Sequence, residues 1–336
     1  MSMESKKKIV YTLISFTVLL ILFNVVLGLL HQDEIKVENN NDVSRLDIET
    51  SFSSVIKKFG IKESWVKKKS LNDKALDSIS YKYKIEIPVD VPIPMILKEL
   101  SDKLKNGNAK VTSTEKKNFG STILKIKTGQ CVKLIAEINY KKEIVREHSS
   151  IAFVIKSIDK LSETEFETLL KTPIKFSALL PLQIESVEIA EKILKSKRTY
   201  YIFLDDDSDN VKFELDEDIN VNSLKKNVGS IVSSFNSPQH FFISSKGTGF
   251  SNSFINFLKN EFKRKERIIL NLNSFVNLKG ENKKDLISLL NFHLNNIKSA
   301  ESKTFFIEID DWESIQSSIN EYLKKGNKLK LPSQLL

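Results

Sequence analysis

Ile151-Ala-Phe-Val-Ile-Lys-Ser-Ile-Asp-Lys160 sets the reading of the whole chain. Five apolar residues in a row, Ile151 to Ile155, give way at once to a polar stretch. A continuous apolar run of this length fits a strand buried on both faces. Phe176-Ser-Ala-Leu-Leu-Pro181 has the same character. Between them Ser162-Glu-Thr-Glu165 has the spacing of a capping box and predicts a helix start. Further short apolar runs lie at Tyr200–Leu204, His240–Ile243, Ile268–Leu272 and Phe305–Ile309, and Ile174–Leu180 is the strand predicted around the second quoted stretch. The intervening segments repeat at helical spacing. Val187, Ala190, Ile193 and Leu194 form one face, and Leu224, Val228, Ile231, Val232 and Phe235 another. Phe254, Phe257, Leu258 and Phe262 follow, then Leu286, Leu289, Leu290, His293 and Ile297, and last Trp312, Ile315, Ile319 and Leu323. Aromatic rings at helical spacing predict core packing. This alternation predicts βα units on a parallel sheet. Periodicity alone leaves a barrel and a doubly wound open sheet both standing.

Upstream the rhythm differs. Leu46, Phe52, Val55, Ile56 and Phe59 predict a helix ended by Gly60. Ile79, Tyr81, Tyr83, Ile85 and Ile87 alternate with polar residues, as a half-buried strand does. Pro88, Pro92 and Pro94 stop it, and Ile96, Leu97, Leu100 and Leu104 predict a second helix ending near Asn106-Gly107. A hairpin is predicted from Ile123–Ile126 through Thr128-Gly-Gln130 into Val132, Leu134, Ala136, Ile138 and Tyr140. The sole cysteine, Cys131, opens that last strand pattern, where a buried structural thiol is expected rather than a nucleophile.

The N-terminus carries Lys6, Lys7 and Lys8 before an apolar run from Ile9 to Leu30, with Asp33 and Glu34 after it. As a helix the run spans roughly 33 Å, enough to cross a bilayer. The lysines predict a cytoplasmic N-terminus and an extracytoplasmic body. Val26-Leu-Gly28 is a poor cleavage site, so an uncleaved signal anchor is expected over a signal peptide. The expected organisation is a basic tip over 1–8, a transmembrane anchor over 9–30, a polar tether over 31–45, a small α/β module over 46–148 and the βα body over 149–336. The body would then sit at the cytoplasmic membrane of a single-pass protein. Net charge is +9, but the lysines are spread along the chain without a stripe of interleaved aromatics, so no nucleic-acid partner is expected.

The ordered series Ile151–Lys160, Ala178-Leu-Leu-Pro181, Thr199-Tyr-Tyr-Ile-Phe-Leu204, Lys246-Gly-Thr-Gly-Phe-Ser251, Ile268–Ser274 and Lys328–Leu336 resembles the divergent polysaccharide deacetylase family. Residues 50–150 resemble a module that precedes this domain in some members, closing in a basic run such as Tyr140–Arg146. The resemblance implies an α/β fold with an irregular (β/α) barrel of the glycoside hydrolase/deacetylase type. It also implies a role in carbohydrate metabolism at the cell envelope. The family's metal-dependent deacetylation needs carboxylate and imidazole ligands and a carboxylate base. Where the family carries paired aspartates, this chain has Lys156 and Ser157. Phe203 replaces one histidine, Ser245 or Lys246 another, and Asn273-Ser274 stands for Asp-Ser. The expectation is therefore a catalytically degenerate barrel that binds a glycan or an envelope protein. Its rim would comprise Lys156, Ser157, Asp205, Asp207, Lys246, Asn273 and Ser274. No cofactor is expected. The alternative is an active hydrolase with a displaced acidic site at Asp159 and Asp205 to Asp207, and a divalent metal belongs to that alternative only. A solvated loop is the plainer reading of that acidic cluster, and a helix N-cap at Asp310 or Asp311 that of the acids after the last strand. A third reading makes the 46–148 module the functional part and the barrel a platform.

Overall fold

The computed structural model describes residues 43–70, 81–116, 120–206, 208, 210–244 and 249–335. The predicted span Ile9–Leu30 lies outside the described residues, as do Asp207, Asp209 and 245–248. Among the described residues no helix is long and apolar enough to cross a membrane.

Helix α1 (Arg45–Lys58) starts on Ser44, whose side chain accepts from the Asp47 amide. Strands β1 (Val66–Ser70) and β2 (Tyr81–Ile87) precede α2 (Ile93–Leu104). After α2 come β3 (Ala109–Glu115), β4 (Thr122–Thr128) and β5 (Cys131–Tyr140). They form one sheet in the order β1-β2-β5-β4-β3, in which only the β2–β5 pair is parallel. Both helices lie on one face, where Ile48, Phe52, Ile96 and Leu100 share a core with Ile85, Leu124, Ala136 and Ile138.

Two expectations need correction here. Ile48 turns inward on α1 while Leu46 is 73% exposed. Cys131 is exposed, not buried, because β5 begins at the tip of its hairpin. Strands β1 and β3 were not anticipated. Both are edge strands with mostly exposed, polar side chains, so they lack an apolar pattern to read.

The second sheet contains β6 (Ser150–Lys156), β7 (Ser177–Pro181), β8 (Thr199–Leu204), β9 (His240–Ile243), β10 (Ile268–Asn271), β11 (Val276–Leu278), β12 (Ser302–Glu308) and β13 (Lys328–Leu329). Its order is β10-β9-β8-β7-β6-β12-β11, with every pair parallel. The helices α3 (Glu163–Lys171), α4 (Glu185–Lys195), α5 (Val221–Ser234), α6 (Asn252–Arg264), α7 (Lys283–Asn296) and α8 (Ile309–Lys324) alternate with the strands. The capping box at Ser162 and Glu165 is formed at the start of α3. The predicted strand from Ile174 begins only at Ser177, after Pro173. The predicted N-cap at Asp310 or Asp311 is also corrected, since α8 starts on Glu308 and both aspartates sit in its first turn.

The sheet is curled. Strands β9 and β12 are four places apart in the order, which would separate them by about 19 Å if the sheet were flat. Instead the Phe242 and Phe306 rings lie 5.3 Å apart. Phe275 touches both, at 5.6 and 5.5 Å. With Val154, Leu179 and Tyr201 these rings fill the concave side, and the alternate residues Phe153, Ile155, Ala178, Ile202 and Phe305 pack against the helices. The two end strands, β10 and β11, are consecutive in the chain and joined by a 3-10 turn at Leu272–Ser274. The architecture is thus an irregular, curled parallel β/α sheet whose ends are closed by the chain instead of by strand pairing. Short β13 pairs with Ser150 and Ile151 of β6, while β7 pairs with Val154 and Ile155.

The two sheets meet through Arg146. Its guanidinium donates from Nη1 to the Phe59 carbonyl at 2.9 Å, beyond α1, and to the Lys324 carbonyl at 2.8 Å, closing α8. Nη2 also bonds Asp90 Oδ2 at 2.6 Å. Arg146 is 8% exposed. Arg146→Ala would leave two carbonyls without their donor. Each buried unsatisfied group costs about 1–3 kcal/mol, so urea unfolding should show a loss of about 3 kcal/mol. Phe306→Ala empties the centre of the curled sheet and should cost about 3–5 kcal/mol in the same assay.

Candidate functional site

Parallel βα units place all strand-to-helix loops at one end of the sheet, where such folds bind ligands. Here that end holds a cleft of about 340 Å³. Strand β6 delivers Lys156 in register beside Glu308 of β12. The next residue, Ser157, takes a left-handed conformation with φ 60°, turning the chain sharply into a 3-10 helix anchored by buried Ile158. Lys156 Nζ lies 2.7 Å from Glu308 Oε1. Ser157 Oγ donates to Glu308 Oε2, also at 2.7 Å. Both carboxylate oxygens are thereby engaged. Leu179, Leu180, Pro181, Phe203 and Leu272 give the cleft an apolar floor, and Asp159 and Lys160 join the polar side.

Burial alone pushes the Glu308 carboxyl up. The Lys156 and Ser157 hydrogen bonds and the positive charges of Lys156 and Lys160 outweigh it, and the net shift is downward. Glu308 is thus held ionised and is a weak proton acceptor. A poised general base requires the opposite shift.

Of the residues singled out from sequence, the structure gathers Lys156, Ser157 and Asp159 at this cleft, with Phe203 on its floor. Asp205 is half-buried just past β8 and outside the cleft lining. Asn273 and Ser274 sit in the turn after β10, where the Asn273 amide bonds Asn271 Oδ1. Leu272 of that turn reaches the cleft instead. Lys246 and Asp207 lie outside the described residues. Glu308 is a site residue that the sequence reading does not single out, since it falls inside the apolar run Phe305–Ile309. Its position at the end of the last long strand was the available signal.

A divalent cation does not fit this arrangement. The lysine ammonium already neutralises Glu308, and Ser157 and Phe203 offer no anionic or imidazole donor. Among the described residues no three His, Cys, Asp or Glu side chains are grouped to hold a metal.

A larger cleft, about 770 Å³, opens beside α1 on the five-stranded module, over Phe52, Ile56, Val66 and Tyr83. Tyr83 donates to Glu49 Oε2 there at 3.2 Å. Its lining runs in sequence into segments outside the described residues. The strand-end cleft, though smaller, has two polar groups, Lys156 and Ser157, converging on one carboxylate and is the better candidate.

No family model matches the chain, and no curated protein matches it. Solved structures similar to it include a CE4 family pseudoenzyme from Bacillus anthracis, at 11% identity and TM-score 0.37, covering 70% of this chain and 94% of that one. A family 4 carbohydrate esterase of Bacillus subtilis has 10% identity and TM-score 0.33, over 56% and 80% of the two chains. A polysaccharide deacetylase from Bacillus cereus has 12% identity and TM-score 0.34, over 54% and 90%. At these scores the functional reading is left to the chain's own residues.

Glu308 sets a pH dependence. Its folded pKa is depressed below the ordinary 4.5. Its ion pair therefore stabilises the fold fully above that pH and progressively less as pH falls through the depressed value. Glu308→Gln should be less stable than the parent at neutral pH. The difference should shrink as unfolding is measured at successively lower pH below 4.5.

Proposed function

We propose that this protein is a membrane-anchored barrel protein of carbohydrate metabolism that binds a polar envelope glycan at its strand-end cleft without hydrolysing it by a metal route. The reading rests on one observation, the Lys156–Glu308–Ser157 constellation at the end of the first barrel strand. A fixed ion pair with a hydroxyl presents donors and acceptors to sugar hydroxyls. The Phe203 ring on the floor offers an apolar face for the C–H side of a pyranose. Clefts of this composition, mostly apolar with a few oriented polar groups, suit binding. The depressed Glu308 and the unsuitable donors at Lys156, Ser157 and Phe203 argue against activating a water.

Anchoring belongs to the same proposal. The lysine-flanked run Ile9–Leu30 would hold the body on the extracytoplasmic side of the cytoplasmic membrane. The resemblance to divergent polysaccharide deacetylases supplies the ligand class. No cofactor is part of the proposal.

The full chain in detergent should be titrated with N-acetylated oligosaccharides while hydrogen exchange is followed. Protection is expected at 156–160, 179–181 and 203. Lys156→Ala and Phe203→Ala should each weaken it about tenfold, the loss of roughly 1.4 kcal/mol of contact. Acetate release should stay at background with added divalent metal. Metal-dependent release abolished by Asp159→Ala or Asp205→Ala would overturn the reading in favour of a displaced acidic site. Protection confined to 43–140 would move the function to the small module.

A further inference from the structure

The five-stranded sheet has one face under α1 and α2 and the other facing away from them. Strand register puts three pairs of lysines directly opposite one another on that outer face. Lys67 faces Lys84 and Lys69 faces Lys82 across β1 and β2, and Lys110 faces Lys127 across β3 and β4. Lys125 lies on the same face, opposite Thr112 and Ile135. The acids there are Glu86, bound to Lys141 at 2.8 Å, and Glu137, bound to Lys82 at 3.0 Å. Among the described residues Lys67, Lys69, Lys84, Lys110, Lys125 and Lys127 make no ion pair within 4 Å. Like charges directly opposite one another destabilise a sheet. A face that only had to stay soluble would alternate its signs, as α4 does with Glu188, Lys192, Glu191 and Lys195.

We propose that this sheet face lies against an anionic phospholipid surface. The proposal rests on reading Ile9–Leu30 as the anchor. Charge complementarity is the first argument. The second is reach. Residues 31–42 separate the apolar run from the first described residue, Val43, and span at most about 40 Å fully extended. The module is therefore held within a molecular diameter of the bilayer. The third is shape. The backbone positions that carry these lysines repeat about every 4.8 Å across paired strands and about every 6.8 Å along them, a two-dimensional array. That matches a sheet of headgroup phosphates better than one linear polymer. The described face also carries no aromatic ring on which a nucleic-acid base could stack.

The test uses the full chain reconstituted in phosphatidylcholine vesicles and in vesicles containing phosphatidylglycerol. Lysine acylation is followed by mass spectrometry. Lys67, Lys84 and Lys125 should label several-fold more slowly with anionic lipid, while exposed Lys226 on α5 should not change. Salt at about 1 M, where the Debye length is about 3 Å, should restore the rates. The double variant Lys67→Glu, Lys84→Glu should lose the protection at Lys125. Equal labelling in the two vesicle types would overturn the proposal, and so would protection by a soluble anionic polymer with none by lipid. Alkaline washing reports the anchor separately. A chain that washes off overturns the anchor alone. The face is then decided by whether the chain still sediments with anionic vesicles and not with neutral ones.

Discussion

The arrangement of the two sheets depends on a single buried guanidinium. Arg146 sits between the ends of two helices from different halves of the chain and donates to a carbonyl at each, that of Phe59 and that of Lys324. Helix C-termini expose carbonyls and carry partial negative charge, so a cation between two of them meets both requirements at once. Its approach demands bare backbone nearby. A Cβ on Gly326 would stand 2.6 Å from Arg146 Nε, and one on Gly60 would stand 2.5 Å from the Lys325 carbonyl oxygen. Both glycines also hold positive φ. Glu99 reinforces the junction by bridging Lys58 of α1 and Lys324 of α8, at 2.6 and 2.7 Å. These partly exposed pairs are modest contributors beside the buried arginine.

The concave side of the curled sheet shows a division of labour along each strand. Toward the middle, Phe242, Phe306, Phe275 and Tyr201 interlock and leave no room for a ligand. Only where the strands run out, at Lys156, Pro181, Phe203 and Glu308, does the side-chain layer open into the cleft. The position of the cleft follows from packing, and its polarity from the residues that happen to end β6 and β12.

Much of the fold was legible because it is written in short-range periodicity. The apolar runs of β6, β8 and β9 and the helical faces of α5, α6 and α8 follow directly from their residues. The curled sheet was legible only through resemblance, since curvature depends on contacts such as Phe242 to Phe306 that no local pattern records. Edge strands β1 and β3 were invisible because their lysines and threonines look like loop. The same polarity hid the basic face: β1, β2 and β4 each contribute lysines two residues apart, and only pairing brings Lys67 to Lys84 and Lys110 to Lys127. At the candidate site, Lys156 and Ser157 were identified by what they replace. Their partner Glu308 lies about as far along the chain as a separate domain, so no spacing rule could join them.

The short strand β13 bears on how the chain assembles. It takes the half of β6 that β7 leaves vacant, while β12 lines the other side of the same strand. The first strand of the curled sheet thus completes its hydrogen bonding only with residues made after all the other strands of that sheet. The five-stranded sheet, by contrast, closes on itself within residues 66–140. Non-local parallel pairing of this kind slows folding and leaves apolar strands uncovered in the interval. A chain emerging from its N-terminus would therefore present a finished small module followed by the unfinished apolar strands β6 to β9. That order of events makes the second half, rather than the first, the part that needs protection from aggregation during biogenesis.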